Sequence, residues 1–399
     1  MFKKILGIFF EEKQLVANSL ILGISISVSG FLGLAATILV SRILGPQNFG
    51  IFKTLTAIYG FLIGIFDFGC QSTLTKYISE FSTKKEEFKI RHLTQNIFFL
   101  RVVILIFVLI FLIPLSIIFK DQISLIFLKD ENISFLIYPA TIYFIISFLD
   151  LTKPILTGMQ NFKLISATNI LASLSVLVIT TSFAYLGGLP LAIISLGIAH
   201  LIGSVAAIIF LFKKKIHKRT KYSIFVWPQQ ILDYGIPSYF SSFPSYIFLA
   251  IIPLLSLFFN QIKVGYFAFS LSFYTSAMII PGAVSVVLFP KIASLALQNV
   301  AKARKTLKRT LVLYFAVGIL EIAATFLIAK PAVTFLVPQF LPAVSLVKTL
   351  VVTGAILGLG TLIVSYLNAR HKLRISFILQ LFLAIVFLFV SFFATKNIL

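Results

Sequence analysis

Six charged side chains stand inside or at the edges of long apolar runs, and these are the residues best placed to do chemistry. Arg42, Lys53, Arg101 and Lys348 are cations, and Asp67 and Glu321 are acids. A Lys or Arg at the centre of a bilayer costs roughly 2.5–3.5 kcal/mol on insertion scales, so it faces a cavity, finds a partner or snorkels to the surface. The four cations are therefore candidates to hold an anionic ligand at membrane depth, Arg as a planar fork and Lys as a point charge. A purely structural role stands beside each. Lys53, Arg101 and Lys348 lie near the ends of their segments and can snorkel, and Arg42 sits on a turn where it would anchor headgroups. Lys153 is three residues from Asp150, a spacing that favours an intrahelical ion pair. Glu321 lies mid-segment with no cation within a turn. It is a candidate to bind a coupling proton or sodium ion, or else a neutral, hydrogen-bonded helix contact. Asp67 is the second candidate coupling acid, with hydrogen bonding between helices as its alternative.

Two further sets of residues bear on movement and wetting. Pro237, Pro244, Pro253, Pro281 and Pro290 interrupt helix hydrogen bonding and are candidate hinges or static kinks. Ser238, Ser242 and Ser245, with Tyr239 and Tyr246, recur at helical spacing. They suit a wet cavity with sugar contacts, or small-residue packing between helices.

The elements that must position these residues are membrane helices. Of 399 residues, 59% are hydrophobic and only 12% charged, against about half and a quarter in soluble domains. About eleven runs reach the ~20 residues a crossing needs: 15–40, 49–75, 95–118, 134–157, 165–187, 189–212, 232–258, 263–290, 310–336, 342–367 and 373–394. The expected fold is an all-α polytopic membrane protein, because irregular backbone cannot face lipid. One cysteine, Cys70, excludes an internal disulfide framework and any multi-cysteine metal site. The four histidines are scattered and no phosphate-binding glycine loop occurs, so neither an enzyme nor a bound cofactor is expected.

The net charge of +22 reads as topology, not as nucleic-acid binding. Basic residues crowd alternate loops, at Lys76–Arg91, Lys163, Lys213–Lys221, Lys291–Arg309 and Arg370–Arg374. By the positive-inside rule these loops and the N-terminus are cytoplasmic, and the turn Ser41–Gly50 is external. Residues 1–14 form an interfacial amphipathic leader, 15–212 a first lobe of six helices, 213–231 a basic cytoplasmic linker, and 232–399 a second lobe of five. Ser41, Gly50, Phe52, Lys76 and Ser79 recur as Ser256, Gly265, Phe267, Lys291 and Ser294 at one constant, ungapped offset. With six crossings between copies, the repeat is parallel. The second lobe then lacks its last helix, leaving an external C-terminus.

The turn Ser41-Arg42-Ile43-Leu44-Gly45-Pro46-Gln47-Asn48-Phe49-Gly50 resembles the SR-x-LGP-x-x-FG signature of Wzx-type polysaccharide biosynthesis flippases. These belong to the multidrug/oligosaccharidyl-lipid/polysaccharide (MOP) exporter superfamily. Phe66-Asp67-Phe68-Gly69 stands where that family has an aDlG element, with Phe68 replacing the usual leucine. Gly158-Met159-Gln160-Asn161-Phe162-Lys163 and Asn368-Ala369-Arg370-His371-Lys372 resemble its cytoplasmic turns after the fourth and tenth helices, and Val264-Gly265-Tyr266-Phe267 its second-half turn. The resemblance spans essentially the whole chain. It implies two lobes in a MATE-like V around a central cavity. It also implies translocation of a polyprenyl-diphosphate-linked oligosaccharide from the inner to the outer leaflet of the plasma (inner) membrane. Polysaccharide polymerase and glycosyltransferases are the implied partners, beside the substrate and the bilayer. The alternatives are a MATE-type drug or cation antiporter, and a membrane glycosyltransferase, polymerase or scaffold.

Overall fold

The computed structural model describes the backbone of residues 2–214, 216, 229–241, 243–370 and 372–398, and side chains from residue 21 onward apart from 241, 286–287, 290, 293–294 and 296–298. Among the described residues every regular element is helical. Glycines decide where the long runs fold back. Helix α1, Phe2–Ile65, includes an apolar stretch Ile21–Ile65 of 45 residues. As a straight helix that stretch would span about 67 Å, more than twice the hydrocarbon core. It is broken at Gly45, where φ is 71 and ψ is 171 degrees. That conformation is open to glycine, and Pro46 begins the second arm where a missing amide costs nothing. The expected ten-residue turn is thus a one-residue break with helix on both sides. The leader expected at 1–14 runs into α1 without interruption from Phe2.

The expected second segment, 49–75, is not continuous. It ends at Ile65 and resumes as α2, Cys70–Thr83, after Phe68 (φ 45°) and Gly69 (φ 76°) take left-handed backbone. At Gly69 a side chain would also run into the Gly235 carbonyl. There follow α3 (Glu87–Ile118), α4 (Glu131–Gly158, interrupted at 149–151) and α5 (Phe162–Lys213). Helix α5 is 52 residues long and non-helical at Gly187 and Gly188, so it too makes two crossings. The second half begins with α6 (Ile231–Phe240) and α7 (Phe243–Phe258), bent by 53° from each other. It continues with α8 (Gln261–Ala277), α9 (Ile279–Gln298), α10 (Val300–Leu336), α11 (Pro338–Ala369) and α12 (Leu373–Lys396). Counting α6–α7 as one bent crossing and dividing α1 and α5 at their glycines gives about eleven crossings among the described residues. The basic linker expected at 213–231 falls largely outside the described residues, as does Ser242.

Two of the expected hinge prolines sit where a helix tolerates them. Pro244 and Pro281 lie in the first turns of α7 and α9, where no intrahelical bond is lost. Pro237 follows a π-turn at Ile231–Gly235, and Pro253 lies inside α7. The 53° bend falls between α6 and α7, immediately before Pro244.

The halves touch through equivalent residues. A side chain at Gly50 would overlap the Gln261 carbonyl, and one at Gly265 would overlap the Pro46 carbonyl. Pro46 and Gln261 stand at the same offset in the chain as Gly50 and Gly265. Residue i meets j and j meets i, as at a two-fold axis. Ser41 and Ser256, both fully buried, obey the same offset in their hydrogen bonds, to the carbonyls of Ile38 (2.9 Å) and Pro253 (2.7 Å). Aromatic rings seal this crossing: Phe340 meets Phe49 edge-on at 5.9 Å and Phe269 at 4.7 Å. The Lys129 ammonium also donates to the Leu257 carbonyl across the halves (2.9 Å). This is the turn end of the bundle; Lys76, Lys84, Lys85, Lys89 and Arg91 mark the opposite, basic end.

Candidate functional site

Just inside the crossing lies a cavity of about 330 Å³ shared by both halves. Gly30, Gly33, Leu34 and Thr37 line it from the first arm of α1 and Lys53 from the second; Ile252 of α7 and Ala268, Ser272, Thr275 and Ser276 of α8 close it. The small residues open the space, and the Thr37 and Ser272 hydroxyls meet across the halves at 3.3 Å. Lys53 is its cation. The ammonium lies 5.3 Å and 5.7 Å from the ring centroids of Phe49 and Phe52, and no carboxylate pairs with it among the described residues. The repeat places Ala268 at the position equivalent to Lys53, so a nearly symmetric cavity carries charge on one side only. The arrangement is one ammonium over aromatic faces with hydroxyls opposite, chemistry that suits an anionic ligand.

The structure brings Asp67 and Arg101 together. The break at Phe68-Gly69 turns the Asp67 carboxylate onto the Arg101 guanidinium of α3, which also donates to the Phe148 carbonyl of α4. Arg101 is 1% exposed and Asp67 6%. The guanidinium lies over the Phe148 ring at 4.8 Å. One buried ion pair therefore ties three consecutive crossings of the first half, and neither partner lines the shared cavity.

The remaining candidates stand apart. Arg42 is exposed on the turn. Lys348 of α11 rests 4.8 Å over the ring of Phe326 on α10, away from the shared cavity. Glu321, half-buried on α10, has a buried carboxylate oxygen (Oε2) without a hydrogen-bond partner. The Tyr314 hydroxyl is likewise unpartnered, seven residues earlier and so on the same helix face. The intrahelical pair expected between Asp150 and Lys153 does not form. With α4 interrupted at 149–151, the two residues do not share a continuous turn. Asp150 instead accepts from the Thr152 amide (2.9 Å), the Thr152 hydroxyl (2.6 Å) and the Ser204 hydroxyl (2.7 Å). Tyr239 of the expected polar stripe donates to the Ile65 carbonyl (3.0 Å) and packs against Tyr246, so these tyrosines face the first half.

Two features lay outside the sequence reading. Asp150 lines a largely apolar cavity of about 1070 Å³ within the first half, with Tyr143, His200 and Ser204. The only hint was an acid followed closely by a threonine in an apolar run. The second feature is direct contact between Gly50 and Gly265. Their alignment was legible, but two glycines at equivalent places on helices of the same topology also signal a close crossing, the one use that needs both side chains absent.

A family model described as "Polysaccharide biosynthesis protein" matches residues 15–296. No curated protein sequence matches the chain. Among solved structures, the fold is similar to an inward-facing multidrug resistance MATE family transporter of the MOP superfamily (TM-score 0.63, 15% identity, covering 94% of this chain and 95% of that one). It is also similar to the lipid II flippase MurJ in an inward closed conformation (TM-score 0.63, 14% identity, 95% and 88% covered). A third match is a point mutant of the Vibrio cholerae MATE transporter VcmN (TM-score 0.59, 14% identity, 96% and 97% covered).

Proposed function

Because this chain belongs to the polysaccharide biosynthesis protein family, with a MOP-superfamily fold, we propose that it is a flippase for a polyprenyl-diphosphate-linked oligosaccharide. The observation that carries the reading is Lys53: an unpaired cation in a hydroxyl-lined cavity shared by two symmetry-related halves. A lipid diphosphate brings the complementary negative charge, and the hydroxyls of Thr37, Ser272, Thr275 and Ser276 suit its sugars. In this reading the basic end and the N-terminus are cytoplasmic, the membrane is the plasma (inner) membrane, and separation of the halves at the Gly50–Gly265 crossing releases substrate outward. Pro244, beside the bend between α6 and α7, and Pro253 are the hinge candidates for that movement. Arg42 meets lipid headgroups at the exit. Glu321, with its unpartnered oxygen, is the acid available to a coupling proton or sodium ion. The protein acts as a transporter beside glycosyltransferases and a polymerase, which make and consume its substrate.

Two negative charges leaving a negative interior gain about 4–5 kcal/mol per 100 mV, so the membrane potential alone can drive the step. In reconstituted vesicles, flipping of a labelled polyprenyl-diphosphate saccharide should accelerate when the interior is made negative. Lys53→Gln should slow it on the order of tenfold or more, the worth of one hydrogen bond to a charged group, and Lys53→Arg should restore most of the rate. Flipping at an unchanged rate in Lys53→Gln would sink the assignment. A second reading, a drug or cation antiporter, is favoured by the Asp150 carboxylate in the apolar first-half cavity. Efflux of a cationic dye that is abolished by Asp150→Asn, with no diphosphate-lipid flipping, would decide for it.

A further inference from the structure

A second basic cleft lies at the other end of the molecule. Helix α2 carries Gln71, Ser72, Thr75, Lys76 and Ser79 along one polar face, and opposite them stand Lys153, Pro154 and Thr157 from the last segment of α4. Tyr234, from the second half, closes one side, and the space measures about 710 Å³. The floor is tight, since a side chain at Gly158 would run into Ile78 and the Thr75 carbonyl. The Lys76 ammonium is held 4.0 Å from the Tyr234 ring centroid and 4.8 Å from that of Tyr77. Neither Lys76 nor Lys153 forms an ion pair with a carboxylate among the described residues, although the exposed Glu80, one turn from Lys76, also lines the cleft. Ser79 accepts from the Gln160 amide (3.2 Å), which leaves its own proton free to donate.

We infer that this cleft is a loading station for the diphosphate of the lipid-linked substrate, where Lys76 and Lys153 bind the two phosphates before the ligand reaches Lys53. The inference rests on the reading above and adds a second site to it. Its chemistry is that of a phosphate receptor: two point charges that pair with no carboxylate among the described residues, with the Gln71 amide and the Ser79 hydroxyl beside them, while the Ser72, Thr75 and Thr157 hydroxyls donate to backbone carbonyls. The position suits a headgroup lying in a membrane surface, because α2 runs from the buried Cys70 out to the turn at Lys84-Lys85. The volume exceeds that of a diphosphate, which leaves room for the first sugar. The walls come from both halves. A ligand on Lys76 therefore displaces or recruits Tyr234, and occupancy is read directly by the contact between the lobes. Glu80 is the one opposing charge, and it supplies a control of opposite sign.

The test uses the full-length protein in phosphatidylcholine nanodiscs, with undecaprenyl diphosphate as the probe. Lys76→Gln with Lys153→Gln should weaken binding about tenfold and slow flipping in proportion, while the paired Arg substitutions stay within about twofold. Glu80→Gln should tighten binding. Inorganic pyrophosphate should compete, and phosphatidylglycerol at equal charge should not. Unaltered binding in the paired Gln variant overturns the inference, and so does equal competition by phosphatidylglycerol, which would mark a site for any anionic headgroup. Should the Gln pair elute as misfolded protein, the Arg pair and Glu80→Gln still decide, because a structural role predicts no tightening in Glu80→Gln. A wild type that flips the lipid while the lysine variants match it overturns the loading station alone. A wild type that neither binds nor flips it overturns the flippase reading as well.

Discussion

Asp67→Asn is expected to lower stability more than replacing Asp67 and Arg101 together with apolar residues of similar volume. The single change leaves a guanidinium, 1% exposed, beside the Phe148 carbonyl and ring and the neutral Cys70 thiol, with no counter-charge. Breaking a buried pair from one side typically costs about 3–5 kcal/mol, most of it from the stranded charge. Asp67→Leu with Arg101→Met removes both charges and keeps the volume, and such exchanges are often neutral. The free energies of the two single variants should therefore sum to far more than that of the double. Folded fraction after a heat challenge, followed by size-exclusion chromatography in detergent, reads the order directly. If the double variant is no more stable than either single, the pair is not the tie described here. If the double is stable but no longer flips substrate, the pair has a part in movement beyond holding three crossings together.

The pairing also marks where the sequence stopped being informative. Asp67 and Arg101 were each visible as a charge in an apolar run, and each was given a separate task. Their spacing held the answer in principle: Asp67 lies nine residues before Lys76 and Arg101 ten after Arg91, so neighbouring antiparallel helices bring them to similar depth. What spacing cannot supply is the facing of two helices around their axes. The left-handed turn at Phe68-Gly69 decides that here, and a phenylalanine in that conformation is costly enough that pattern reading assumes unbroken helix. The same limit explains Asp150. A three-residue spacing implies a shared helical face only where the helix is continuous, and the interruption at 149–151 hands the carboxylate to Ser204 instead. The crossings, their order and the repeat of the two halves depended on hydrophobic length and on Gly-Pro chemistry. Those are one-dimensional properties, and they were legible. The shared cavity was half legible: Lys53 was named for it, but Thr37 and Ser272, which face each other across it, look like ordinary small helix residues until the halves are docked.

The largest structural effect outside the ion pair is expected at the crossing itself. Gly50→Ala would place a methyl group inside the Gln261 carbonyl, and Gly265→Ala would do the same at Pro46. Both obstacles are backbone, so no rotamer change relieves them and the helices must part. Overpacking of this kind costs about 1–3 kcal/mol. Because the contacts are equivalent about one axis, the two substitutions should cost nearly the same. Once one methyl group has spread the crossing, the other finds the space already open, and the double variant should cost clearly less than the two singles combined. The spread should also be visible as distance. The native Cys70 is buried, so spin labels can be directed to cysteines introduced at the exposed positions Asn48 and Ile262. Electron–electron distance distributions should shift outward in either alanine variant, toward a state open at the turn end. An unchanged distribution in a folded Gly50→Ala protein would mean that the crossing yields elsewhere, and that the Gly50–Gly265 axis is not where the halves are held closed.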